Sequence, residues 1–345
     1  MDEAMSKPEV GIAPKEAKGA EPKRQHYVPQ FYLHGFVGKK DQLLVMDRRT
    51  KEPFRTAPKN VAGETHFNRI DVKGMDPNAV EKLLSEFEGE VAPALERIKT
   101  AKSLANAEDR AAVMNLMAAL ALRNPWRRKA ISEIFGQAAR RQAFAKFGTK
   151  ESWDKSVAEM KAADVWDEGA GVTFEDMQSE MKGAKFDPPK EFNIAIEIDQ
   201  HDHVAELLSK RKWQLMKAVD GSGGFVTTDD PVCLRWADEQ AHGGLSPGFD
   251  VQGTEVIFPL STTLALRGTL DGEENVIDAD ASTVGTTNSL VISNAQNQVY
   301  APDHSFKFMR QEPEELGSGA TLLQDERFLA AGKPKEDKVV ALRGK

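Results

Sequence analysis

Cysteine is almost missing from this chain: Cys233 is the only one in 345 residues. That excludes an intramolecular disulfide and any cysteine-cluster zinc site within one chain. Long apolar runs are missing too. No stretch approaches the roughly 20 residues a membrane helix needs. The opening residues lack the apolar core of a secretion signal and carry Lys, Glu and Pro instead. A cytoplasmic location with no membrane association is the expectation. There is no excess of basic charge either. Lys and Arg number 46 against 54 Asp and Glu, for a net charge of -8. This weighs against bulk electrostatic binding to nucleic acid and leaves a local basic strip as the route to it.

Several catalytic signatures are also absent. Gly221-Ser222-Gly223-Gly224 is not followed by the Gly-Lys-Ser/Thr of a phosphate loop. There is no Gly-x-Ser-x-Gly elbow, no His-Glu-x-x-His pair, and no convincing strand Asp followed by a Glu-x-Lys strand. Cys233, in an apolar strand, reads as core and not as a nucleophile.

What is present suits a soluble globular protein: 40% hydrophobic and 29% charged residues. Residues 1–24 are mostly Lys, Glu, Pro, Ala and Gly and are expected to be a disordered leader. A single domain is expected over 25–331, with a possible internal boundary near 183–190, and a charged tail over 332–345. Leu43 to Asp47 and Phe54 to Ala57 read as a hairpin. A helix opens at Asp76-Pro77, and Asn106 caps another whose stripe is Val113, Leu116, Met117 and Leu120. Pro125 breaks or kinks it, and Ile131, Ile134, Phe135 and Ala138 resume the stripe. Asp202 to Val219 reads as a further amphipathic helix, with Leu215 and Val219 inward. From Phe225 onward strands dominate, and Thr286 to Val299 returns to helix. Elements come in blocks and do not alternate strictly. The expected class is therefore α+β, with a helical N-terminal and middle region on a mainly antiparallel sheet drawn largely from the C-terminal half.

Gln25 to Phe36 is the densest segment. It gathers two histidines and four aromatics in a chain only 7% aromatic. Phe31, Tyr32, Leu33 and Phe36 can anchor it, leaving His26 and Gln30 as polar groups toward a cleft. His26 suits acid, base or ligand duty near neutral pH. The plain alternative is a hydrogen-bonded histidine in an aromatic cluster. Glu64, in Lys59 to Asn68, can ligate a hard cation or orient a histidine, or simply face solvent. Arg123 to Lys129 is the most basic patch, and Trp126 within it can stack on a base. Asp229, in Thr227-Thr228-Asp229-Asp230-Pro231, stands between two strands, where a carboxylate is either an ion ligand or an ordinary turn former. His201, His203 and Glu206 offer a weaker metal-like spacing on a helix.

The segments HYVPQFYL, KNVAGETHFN, ALRNPWR, GGFVTTDDPV and VIFPLSTTLAL resemble, in order, the landmarks of the bacterial domain-of-unknown-function family 4238. The resemblance covers about residues 25–310. The strand-turn segment of such proteins commonly ends Ser-Asp-Asn-Pro. Here Asp229 matches and Asp230 replaces the asparagine. The resemblance implies that His26, Glu64, Arg123 and Asp229 belong to one design, and it implies no activity.

Two function classes follow. The first is a hydrolase acting on a phosphoester of nucleic acid or nucleotide. In it His26, with Gln30 beside it, is base or ligand, Glu64 and Asp229 hold a divalent metal (Mg or Mn), and Arg123 neutralises phosphate. The second is a non-catalytic binding or regulatory module in which these residues are structural. A toxin or phage-defence setting is compatible with either. The two classes differ in space: an enzyme needs these groups to converge in one cleft.

Overall fold

The computed structural model describes residues 24–167, 169, 171–184, 187–238, 246–310 and 315–331. The leader and the charged tail expected from the sequence lie outside them, apart from Arg24. The architecture is α+β, as expected.

The N-terminal part supplies β1 (Arg24–His26), α1 (Gln30–Leu33), β2 (Leu43–Asp47), β3 (Glu52–Thr56) and β4 (Gly63–Thr65). The helical block is α2 (Ala79–Ala101), α3 (Ala107–Leu122), α4 (Pro125–Phe147), α5 (Lys150–Ala162), α6 (Phe174–Gly183) and α7 (Lys190–Ser209). Next come β5 (Lys212–Ala218), β6 (Thr227–Thr228), β7 (Cys233–Trp236), β8 (Thr254–Ser261), β9 (Leu264–Thr269) and β10 (Asn275–Ala279). The chain continues through α8 (Ala281–Asn294), β11 (Gln298–Ala301), β12 (Lys307–Met309), β13 (Leu316–Ser318) and α9 (Glu326–Ala331).

Two sheets share the core. One runs β10-β5-β9-β8-β7, all from the C-terminal half and antiparallel except for the β10–β5 pair. The other runs β3-β2-β11-β6, so the early hairpin is completed by two late strands. Strand periodicity divides the faces. Leu43, Val45, Trp213, Leu215, Val256, Phe258, Leu264 and Leu266 enter the main core with α1, α2, α3 and α7. Their alternates, including Leu44, Met46, Met216, Ile257 and Ala265, join smaller clusters that hold Val284, Val291 and Ile292 of α8. The sheets are thus covered on both sides. Gly268 is needed in β9 because a Cβ there would lie 2.6 Å from the Trp213 ring.

The structure supports the hairpin, the Asn106 cap on Asp109 N–H and the α3 stripe, all of it buried. Of the break or kink expected at Pro125, the structure shows the break: α3 ends at Leu122 and Pro125 opens a new helix, at the first turn where its missing N–H is harmless, with Asn124 as N-cap. Three expectations change. The stripe expected to resume on α4 does not face the core: Ile134 is 65% exposed. The helix expected over Asp202 to Val219 is α7, which starts earlier and stops at Ser209. Leu215 is buried on β5, paired with Leu266 and Val276, and Val219 is exposed. Gln298 and Val299, expected at the end of a helix, belong instead to β11. In both places long-range pairing overrides local helix propensity.

Candidate functional site

The sequence landmarks meet, and they hold one another mainly through backbone atoms. β1 pairs with β4, setting Gln25 opposite Glu64 and His26 opposite Gly63. Buried Gln25 accepts the Asn68 N–H on its Oε1 at 2.6 Å. Arg123 donates from Nη2 to the His26 carbonyl at 3.1 Å. Asn124 donates from Nδ2 to the Asp229 carbonyl at 3.2 Å. Tyr32, stacked on Phe258 with centroids 5.2 Å apart, donates its hydroxyl to the Pro259 carbonyl at 2.8 Å and meets the Thr227 hydroxyl at 2.7 Å.

Asp229 is the keystone. One carboxylate oxygen accepts the Gln296 N–H at 2.8 Å; the other accepts Asn297 N–H at 2.8 Å and Gln298 N–H at 3.1 Å. It thereby closes the turn between α8 and β11. Burial pushes its carboxyl up to about 7 against the pull of those donors. Asp230 is pushed up to about 6 by burial. Beside them, Asp47 at the end of β2 accepts Arg49 and Gln298 Nε2, and Gln298 Oε1 accepts the Tyr300 hydroxyl at 2.8 Å. Burial, then the charges of Asp229 and Glu64, raise the Tyr27 hydroxyl pKa and keep it protonated. Arg48 is 5% exposed and lies 4.4 Å over the Phe328 ring; Nε, Nη1 and Nη2 have no hydrogen-bond partner.

The proposed site residues therefore take different positions. His26 is half-buried, with Nε2 3.2 Å from the Lys59 carbonyl, which leaves Nδ1 as its unprotonated nitrogen when neutral. Burial lowers its pKa, so it is neutral near pH 7. Gln30 is exposed at the start of α1. Glu64 is exposed and lines a cleft. Arg123, expected at a phosphate, is instead only 8% exposed and packed among helices. His201 bonds to Asp202 and to the Asn115 carbonyl, not to a cluster with His203 and Glu206. Among the described residues no three His, Cys, Asp or Glu side chains converge as a metal site would require.

The cleft beside Glu64 has a volume of about 330 Å³ and lies between β4, α4 and the start of α7. Glu64, His66, Arg128, Lys129, Lys190 and Asn193 line it. Arg128 is fixed by Glu197, by the Phe67 carbonyl and by stacking 3.6 Å over the Phe67 ring. Lys190 donates to the His66 carbonyl at 3.1 Å, and burial lowers its pKa. Lys129 sits 5.3 Å from the ring of Trp126, which is 42% exposed. The Asn193 side-chain Oδ1 is buried without a partner. The basic patch signalled Lys129 and Trp126, whereas Lys190 and Asn193, more than 60 residues away, gave no such signal.

A fold built around interlocked landmarks of this kind defines a protein recognised by its scaffold, not by a catalytic signature. The chain belongs to the family described as protein of unknown function (DUF4238), whose profile matches residues 24–305. No curated protein and no solved structure matches it. Among the described residues no helix is long and apolar enough to cross a membrane.

Proposed function

We propose that the protein is a binding module for a phosphate-bearing nucleotide group, free or within a nucleic acid strand. The observation that supports this reading is the cleft lined by Lys129 and Lys190, with the exposed Trp126 ring at its edge, next to Lys129. Two cations can neutralise phosphate while the indole stacks on a base. The rigid Arg128–Glu197 wall supports that geometry. Fluorescence anisotropy with a labelled oligonucleotide, competed by free nucleotide, tests it. The double reversal Lys129→Glu/Lys190→Glu is expected to weaken binding at least about tenfold and to flatten its salt dependence. No binding by the native protein, or equal binding by the reversal, would sink the reading.

A second reading is phosphoester hydrolysis with Mg²⁺ or Mn²⁺. It is favoured by Tyr27, whose hydroxyl pKa is raised by burial and then by the charges of Asp229 and Glu64. His26 would serve as base through Nδ1, and Glu64 would be the side chain left to hold a divalent ion, which would supply Lewis acidity there. The three N–H donors on Asp229 weigh against it as a ligand. Calorimetric titration with Mn²⁺ decides, using Glu64→Ala because that side chain is exposed. Saturable binding lost in the variant would favour hydrolysis, and no binding in the native protein would remove it.

A further inference from the structure

A second opening, of about 300 Å³, lies between α2, α3 and α7. This is at the lower end of the range for small-molecule pockets, roughly 300–1,000 Å³. Its walls are mostly apolar, with Leu83, Leu84 and Phe87 from α2, Leu122 from α3, and Ile194 and Ile198 from α7; Glu197, His201 and the exposed carboxylate of Asp202 add polar groups on the α7 side. Leu83 and Ile198 are each 54% exposed, so the rim presents large aliphatic groups to solvent.

One cation reaches this groove. Arg123 lines it, donates from Nη2 to His26 and has no partner for Nε. The charged groups that act on its guanidinium are Glu197, Glu88, Arg128 and Glu81. Glu197 is committed through both oxygens to Arg128, and Glu81 accepts from Asn68. Among the described residues no carboxylate hydrogen-bonds to Arg123. A buried guanidinium with an unmatched N–H favours an acceptor that fits its fork.

We infer that this groove is a binding site for a small apolar carboxylate, such as a medium-chain aliphatic acid, with its chain along Leu83, Phe87 and Ile198 and its carboxylate on Arg123. A neutral chain would leave Nε unmatched. A cationic amphiphile would bring a like charge to a buried cation. A carboxylate supplies a charge-assisted hydrogen bond in a low-dielectric setting, while the chain covers the exposed rim. The site uses residues other than Lys129, Lys190 and Trp126, so it stands apart from the phosphate reading.

Calorimetry of the full chain with decanoate below its micellar concentration tests the site, alongside decanol and decyltrimethylammonium. Saturable one-site binding of decanoate is expected, at least about tenfold tighter than decanol, the difference a charge-assisted hydrogen bond supplies. Leu83→Asp and Ile198→Asp are each expected to weaken it at least about tenfold by placing charge on the apolar wall. Both positions are exposed, and circular dichroism checks that the fold persists. The proposal is overturned by absence of saturable decanoate binding, by decanol or the cation binding as tightly, or by unchanged affinity in both variants. A concentration-dependent dimer abolished by Ile198→Asp, with no decanoate bound, would make a second copy the occupant and overturn it equally.

Discussion

Replacing Asp229 with alanine is expected to lower the unfolding free energy on the order of 3–5 kcal/mol, because three N–H groups of half-buried residues lose their acceptor at about 1–3 kcal/mol each, partly offset by relief of a desolvated charge. Asp229→Asn keeps an acceptor but points an amide N–H at donors, and is expected to cost about 1–2 kcal/mol. Urea midpoints at constant m-value measure both. The pH dependence carries a further signature. The Asp229 carboxyl stands at about 7 and that of Asp230 at about 6 in the fold. Both return to about 4 in the unfolded chain. Through that interval the native state holds protons that the unfolded chain has released. Their contribution is therefore full below about pH 4 and falls as pH rises to about 7. The native protein minus Asp229→Asn should show this decline. A flat difference, or one rising with pH, would mean that the N–H donors outweigh burial.

Arg128→Met should also be severe. It strands Glu197, which is 6% exposed, without its bidentate partner, and removes the stacking on Phe67. Breaking a buried pair from one side costs about 3–5 kcal/mol, whereas replacing both partners with apolar groups is often near neutral. The double variant Arg128→Met/Glu197→Leu is therefore expected to be more stable than Arg128→Met alone. Thermal unfolding of the two singles and the double gives the coupling energy. Additive losses would show that the pair contributes no mutual stabilisation.

The legible parts of the sequence were those governed by local rules. The Asn106 cap, the α3 stripe and the β2–β3 hairpin each follow from neighbours within a few residues. The landmark segments do bond to one another in the fold. Their roles were less legible, because they are set by partners far along the chain. Asp229 has the look of a ligand in sequence, yet its acceptors are taken by residues 296–298. Arg123 belongs to a basic run, but its neighbours on α3 turn it inward. Lys190 joins Lys129 only through the return of α7 across α4. The strand β5 read as helix because Gln214, Leu215, Met216 and Lys217 suit one; strands on either side decide otherwise.

The pairing of β2 with β11 also sets a timetable for synthesis. Asp47 and Gln298 are 251 residues apart. At about 5–20 residues per second, on the order of 10–50 s pass on the ribosome between the emergence of one and the other. Throughout that interval Leu43-Leu44-Val45-Met46 can pair with β3 on one edge while its other edge has no strand. An apolar edge in that condition is an aggregation template and a chaperone target. The nascent chain is accordingly most vulnerable in its opening segment, and the last strands to leave the ribosome are the ones that end that exposure.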